Sequence, residues 1–305
     1  MKHKIFPAYL VGFYIIWLYL LFTTTGLEVY VTHWLYSVMM IFGATIAGFT
    51  PMGGGAVSYP VLSLYFDIDA TVARDFSLAI QSIGMTSVAI YIMTRKSHSK
   101  SFYTQLPSYI TTSIIGFLLT SYFYDVIPVS IIKMTFVTFA LTFMASYTIG
   151  HRKSIKEIVQ PKWKHRMLYC GLGGVAAALF GTGTDMLLYI MLNGLYNQEE
   201  ESATDLSIIV MAAVSIIATL IHPPTGEVYN MWIAASPIVI LFAPFGNMLL
   251  TITKKYYMLL IVLTMNSFNY IYWAHHNLNL LFPSILFIIT FYLLFRHYGQ
   301  KSYSV

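Results

Sequence analysis

Seven stretches of this chain carry almost no charge: residues 5–22, 77–94, 102–123, 129–150, 206–221, 231–252 and 282–295. Crossing the hydrocarbon of a bilayer takes about 20 apolar residues in a helix. Hydrophobic residues make up 57% and charged residues 10% of the 305 positions, whereas soluble domains carry roughly 25% charge. In lipid every backbone N–H and C=O must be satisfied internally, which leaves helices or closed barrels. The alternating segments of about 10 residues that a barrel needs are absent. The chain therefore reads as an all-α polytopic membrane protein, one transmembrane domain over 1–305.

The first apolar run, 5–22, follows MKHK and resembles a signal peptide, but TTTGLEV after it offers no small-x-small cleavage site. It reads as a retained first helix, and 280–296 as an additional last one. The net charge of +5 comes from clusters: Lys2/Lys4, Arg95/Lys96/Lys100, Arg152–Arg166, Lys254/Lys255 and Arg296/Lys301. Placing all of them in the cytoplasm leaves the alternate connections 23–33, 67–71, 124–128, 222–230 and 274–280 without Lys or Arg. Both termini are then cytoplasmic, and the basic clusters are orientation signals rather than a nucleic-acid surface. Only Arg74 and Lys133 fall outside this scheme.

The single cysteine, Cys170, excludes an internal disulfide and a multi-cysteine metal site. No two of the nine histidines have the i, i+4 spacing of a helical zinc site, and neither a metal nor another cofactor is expected. No G-x-x-x-x-G-K-[ST] phosphate loop occurs, nor a G-x-S-x-G elbow or an H-E-x-x-H helix.

A shift of 130 residues aligns 43–90 with 173–220 without a gap, with identities that include Gly53/Gly183, Tyr59/Tyr189, Asp75/Asp205 and Ser77/Ser207. This defines a first repeat at 34–150 and a second at 164–273. By the topology above, the copies enter the membrane from opposite sides. Each contains a helix-breaking glycine segment, TPMGGG at 50–55 and FGTGTD at 180–185. Inverted repeats with broken helices are the arrangement of secondary transporters, and the breaks point to the binding site. The expectation is about eight transmembrane helices plus two broken or re-entrant ones, with half-helices at 55–66 and 184–196. Thr50, Met52, Gly53, Gly54 and Gly55 then face Gly181, Thr182, Gly183 and Thr184 across a central cavity. Glycine lets a solute approach bare backbone, and the half-helix starts offer unpaired N–H groups to an anion. The competing reading is that the glycines only allow close helix packing.

GFTPMGGGAVSYPVL (48–62) and its degenerate copy GGVAAALFGTGTDMLLYIML (173–192) resemble the TauE/SafE, or sulfite exporter, family of membrane transporters over about 36–273. The resemblance implies export of sulfite or a small organosulfonate anion across a bacterial inner membrane. The sequence departs from the commoner family pattern with ARDFS (73–77) and ATDLS (203–207), which add acids near the substrate route.

Asp185 follows the second break directly. An ionisable residue in hydrocarbon is a functional candidate, here for proton coupling; capping the half-helix is the alternative. Asp75 and Asp205 read first as helix caps, with gating or ion coupling as the alternative. Arg74 is expected to pair with Asp67, Asp69 or Asp75 at the outer surface, or to guide an anion. Ser77, Gln81 and Ser82 share one helical face and, with Asn247, are candidate substrate-path residues or interhelical hydrogen-bond partners. A secondary transporter of a small anion, with the lipid bilayer as its other partner, is the leading reading; an intramembrane enzyme, an assembly factor and a channel are the others. A homodimer is left open.

Overall fold

The computed structural model describes residues 4–149, 160–252 and 255–290. The basic residues Lys2, Arg152, Lys153, Lys156, Lys254, Arg296 and Lys301, the end of the expected first repeat at 150 and positions 291–296 of the expected last helix lie outside them. The described chain is helical throughout: α1 (Ile5–Leu20), α2 (Val29–Phe49), α3 (Gly55–Pro60), α4 (Ala70–Arg95), α5 (Lys100–Phe123), α6 (Val129–Ile149), α7 (Trp163–Phe180), α8 (Thr184–Tyr189), α9 (Glu200–Ile221), α10 (Gly226–Ile252) and α11 (Lys255–His276). Residues 281–290 are helical as well. Five helical segments meet both length and hydropathy for a membrane crossing, at Ile5–Thr25, Val29–Phe49, Ala70–Arg95, Glu200–Ile221 and Gly226–Leu250. The outward faces are apolar, with Val11, Ile15, Val31, Leu119 and Phe268 all exposed, while Thr, Ser, Gln and Asp side chains lie inside. Water would not tolerate so continuous an apolar exterior. The protein is a polytopic membrane protein.

Two interruptions fall where the glycines are. α2 stops at Phe49, and Thr50 turns the chain, its hydroxyl donating to Ile46 O at 2.8 Å and accepting from Met52 N at 3.2 Å. α7 stops at Phe180, with Gly181 at φ 78° and Gly183 at φ 122°, conformations that L side chains rarely adopt. α3 continues as a π-helical turn over Val61–Tyr65 and α8 as one over Ile190–Leu195, so each half-helix extends to 65 and 195 respectively.

The two half-helices end alike. Asp67 (φ 51°) and Asn197 (φ 50°) take the left-handed conformation, for which Asp and Asn are the favoured non-glycine residues. Ile68 N donates to Leu62 O at 2.9 Å and Gln198 N to Leu192 O at 3.0 Å. These bonds are 130 residues apart. The helix packing follows the same shift: it carries α2 onto α7 and α5 onto α10, and the α2–α10 and α7–α5 packings are the most extensive in the molecule. Both depend on glycine at the crossing. A Cβ on Gly48 would overlap Ala243 O and one on Gly246 would overlap Thr45 O, while Gly174 and Gly116 stand in the same relation to Ser113 O and Gly171 O.

Prolines inside α10 free carbonyls that neighbouring helices reclaim. Pro237 cannot donate to Ile233 O, which instead receives Trp17 Nε1 of α1 at 2.9 Å. Pro244 frees Ile240 O, which receives the Ser87 hydroxyl of α4 at 2.7 Å. In lipid no water could do this.

The two cations outside the basic clusters also have structural partners. Lys133 Nζ donates to Ser63 O at 2.6 Å, at the C-terminal end of the first half-helix, where a positive charge is favoured. Arg74 is the other.

Candidate functional site

The two breaks meet. Gln81, two turns above Arg74 on α4, joins them: its Nε2 donates to Ser77 O at 2.9 Å and to Gly181 O at 2.5 Å. Ser77 in turn shares a hydrogen bond with Ser58 of α3 at 2.8 Å. A Cβ on Gly55 would stand 2.7 Å from Gln81 Nε2, 2.8 Å from Gly181 O and 2.9 Å from Thr182 Cβ. A Cβ on Gly53 would overlap Gln81 Oε1 and come within 2.7 Å of Asp185 Oδ2. The bare backbone of the first break is therefore filled by side chains serving the second.

The breaks were expected to face each other across a cavity. They are instead in contact, and Gly54, Gln81, Met40, Ala47, Gly84 and Val239 beside them line a void of about 10 Å³, near the lower limit for one water molecule.

Asp185 occupies the first turn of α8 and is wholly buried. Its Oδ1 accepts from Gly183 N at 3.2 Å and from Met186 N at 3.0 Å, so one oxygen does stabilise the helix start. The other, Oδ2, has no hydrogen-bond partner, and neither do Gln81 Oε1, Thr182 Oγ1 and Thr184 Oγ1. All four belong to buried residues of the breaks or of the helix that joins them. Buried polar atoms are ordinarily satisfied; here four without partners gather at one junction. Met52 is also buried here, its sulfur accepting from Asn266 Nδ2 at 3.7 Å.

Asp75 and Asp205 do not cap their helices. The N-cap of α4 is Asp69, whose Oδ1 accepts from Thr71 N at 2.8 Å; α9 begins at Glu200. Both acids lie in the second turn and make ion pairs instead. Asp205 is fully buried, with Lys96 Nζ 2.9 Å and His98 Nε2 3.1 Å from its Oδ2. Asn247 Nδ2 reaches its Oδ1 at 3.3 Å and Gly48 O at 3.2 Å, so Asn247 belongs to this cluster rather than to the breaks. Lys96 also holds Glu201 at 2.8 Å. Arg74 pairs with Asp75 at 2.7 Å, as expected, but is 4% exposed rather than at the surface. Its guanidinium lies 3.9 Å over the Tyr124 ring, and its backbone touches Gly181.

The two charge clusters mark opposite ends of α4. From Asp75 to Lys96 the helix rises about 30 Å, the thickness of a hydrocarbon core. Lys96 was read only as part of a basic orientation cluster, and His98 and Glu201 were not singled out; the signal available was an acid, Asp205, that must find a counter-ion once inside lipid.

Residues 35–268, most of the chain, match the family described as sulfite exporter TauE/SafE. The chain belongs to that family. The matched region contains both breaks, both charge clusters and every helix from α2 to the body of α11. No curated protein and no solved structure matches the chain. The family is one of membrane transporters, which agrees with the apolar exterior and the buried polar junction.

Proposed function

We propose that this protein is a secondary transporter of a small oxyanion of sulfur, sulfite or an organosulfonate, that exports it by alternating access. The observation that carries the reading is the junction of the two breaks, where the Thr182 and Thr184 hydroxyls are buried without partners. A hydroxyl is a donor that a tetrahedral or pyramidal oxyanion can use. The half-helices beginning at Gly55 and Thr184 both start at this junction, and their dipoles favour an anion there.

In this reading 34–150 and 164–273 are inverted copies, supported by the recurrence of packing and helix ends at the 130-residue shift. The Arg74–Asp75–Tyr124 cluster closes one side of the site and the Lys96–Asp205–His98 cluster the other. Opening either pair alone exposes the junction to one face. With the basic clusters inside, both termini are cytoplasmic in a bacterial inner membrane; a reporter fused within 151–166 and read from outside the cell would contradict that orientation.

Binding is tested by thermal denaturation of the purified protein against sulfite, thiosulfate, sulfonates and carboxylates. A ligand at a hundred times its Kd stabilises by about 2.7 kcal/mol. We expect a sulfur oxyanion to raise the melting temperature and the Thr182→Val/Thr184→Val variant to lose that shift. Stabilisation by carboxylates alone, or by none of these anions, would contradict the reading.

A further inference from the structure

We propose that Gln81 and Asp185 form a proton site: Asp185 is held as the neutral acid in this structure and donates from Oδ2 to Gln81 Oε1. The role of Gln81 rests on its amide orientation, which two carbonyls fix. Nε2 donates to both Ser77 O and Gly181 O; reversing the amide would press Oε1 against two acceptors. Oε1 must therefore point the other way, to the place beside Gly53 that Asp185 Oδ2 also occupies.

Both oxygens lie within 2.7 Å of the place a Gly53 Cβ would take, and neither meets hydrogen-bond geometry with any donor. The groups facing the carboxyl are the backbone N–H groups of Gly53, Gly183, Asp185 and Met186. Gly183 and Met186 serve Oδ1 whether the acid is charged or not, and the Gly53 N–H makes no hydrogen bond to Oδ2. From α4 the polar group is Gln81 itself; Arg74, the cation nearest the breaks on that helix, is turned to Asp75 and Tyr124. One proton on Oδ2 satisfies both orphan oxygens at once. It also removes the negative charge that would repel an anion at Thr182 and Thr184, which ties proton and anion occupancy together. That coupling rests on the transport reading above; the proton site itself does not.

Infrared difference spectra between the wild-type protein and Asp185→Asn, both in lipid without added anion, test it. Asn places an N–H where the acid proton would be, so the variant keeps the bond to Gln81. We expect the wild type to show the carbonyl stretch of a protonated carboxyl at neutral pH, absent from Asp185→Asn, unaffected by sodium and shifted in frequency in Gln81→Met. A carboxylate band in place of the acid at neutral pH would overturn the proposal, and so would an acid band abolished by sodium at constant pH. Should Gln81→Met not fold, the wild-type spectrum alone decides. Absence of the acid band alongside intact anion binding would remove this inference and leave the transport reading standing; the reverse result would do the opposite.

Discussion

Gln81 donates to the carbonyl oxygen of Gly181, 100 residues further along the chain, at 2.5 Å. The bond ties the helix after the first break to the backbone of the second, so neither break can move without breaking or carrying the other. In the proposed alternating access, this bond is the central joint and the ion pairs at the two ends of α4 the contacts that separate in turn.

Gly53 and Gly54 are adjacent but should respond differently to alanine. At Gly53 the added Cβ overlaps Gln81 Oε1, while at Gly54 the nearest atom is the flexible Met40 Cε at 3.4 Å. Displacing a binding group by about 1 Å costs on the order of 100-fold in rate. We expect Gly53→Ala to lose transport on that scale with normal membrane insertion, and Gly54→Ala to stay near wild type. Equal rates for the two in a vesicle uptake assay would mean that the junction tolerates the methyl and is not the site.

Lys96→Met leaves Asp205 buried without its lysine, beside only His98 and Asn247. Removing one partner of a buried pair costs about 3–5 kcal/mol, whereas replacing both by apolar residues is often neutral. Denaturation in detergent should therefore rank Lys96→Met below the Lys96→Met/Asp205→Leu double variant. Additive losses in the double variant would show that Lys96 and Asp205 do not interact.

Ser87, buried within α4, should matter more than its small side chain suggests. Its hydroxyl is the donor that reclaims Ile240 O, and Ser87→Ala leaves that buried carbonyl unpaired, at a cost of about 1–3 kcal/mol. Pairing Ser87→Ala with Pro244→Ala restores a backbone N–H to the carbonyl, so the double variant should recover most of the loss in thermal stability. No recovery would mean that the serine acts elsewhere.

What was legible in the sequence follows from where the signal is local. Apolar run length gave the helices, and glycine at 53–55 and 181–183 gave both breaks, because backbone conformation there depends on the residue itself. The 130-residue shift was readable for the same reason, down to Asp75/Asp205, although their capping role was not. Whether Asp69 or Asp75 caps α4 depends on where the helix begins, a shift of nearly two turns that composition does not settle. The Lys96–Asp205 pair joins residues 109 apart, and the contact between the breaks depends on how α2, α4 and α7 pack. Neither has a local sequence cue. The π-helical ends of the half-helices, 61–65 and 190–195, had none either.

The most direct test of transport is flux through the purified protein alone. Liposomes loaded with labelled sulfite and carrying wild-type protein should release label into unlabelled external sulfite, with a rate that saturates as sulfite rises. Gly53→Ala liposomes with equal protein content should not. Saturable exchange by the wild type, absent from Gly53→Ala, is the predicted result; no release above protein-free liposomes with sulfite or any sulfonate, or release that rises linearly without saturation, would contradict an alternating-access transporter.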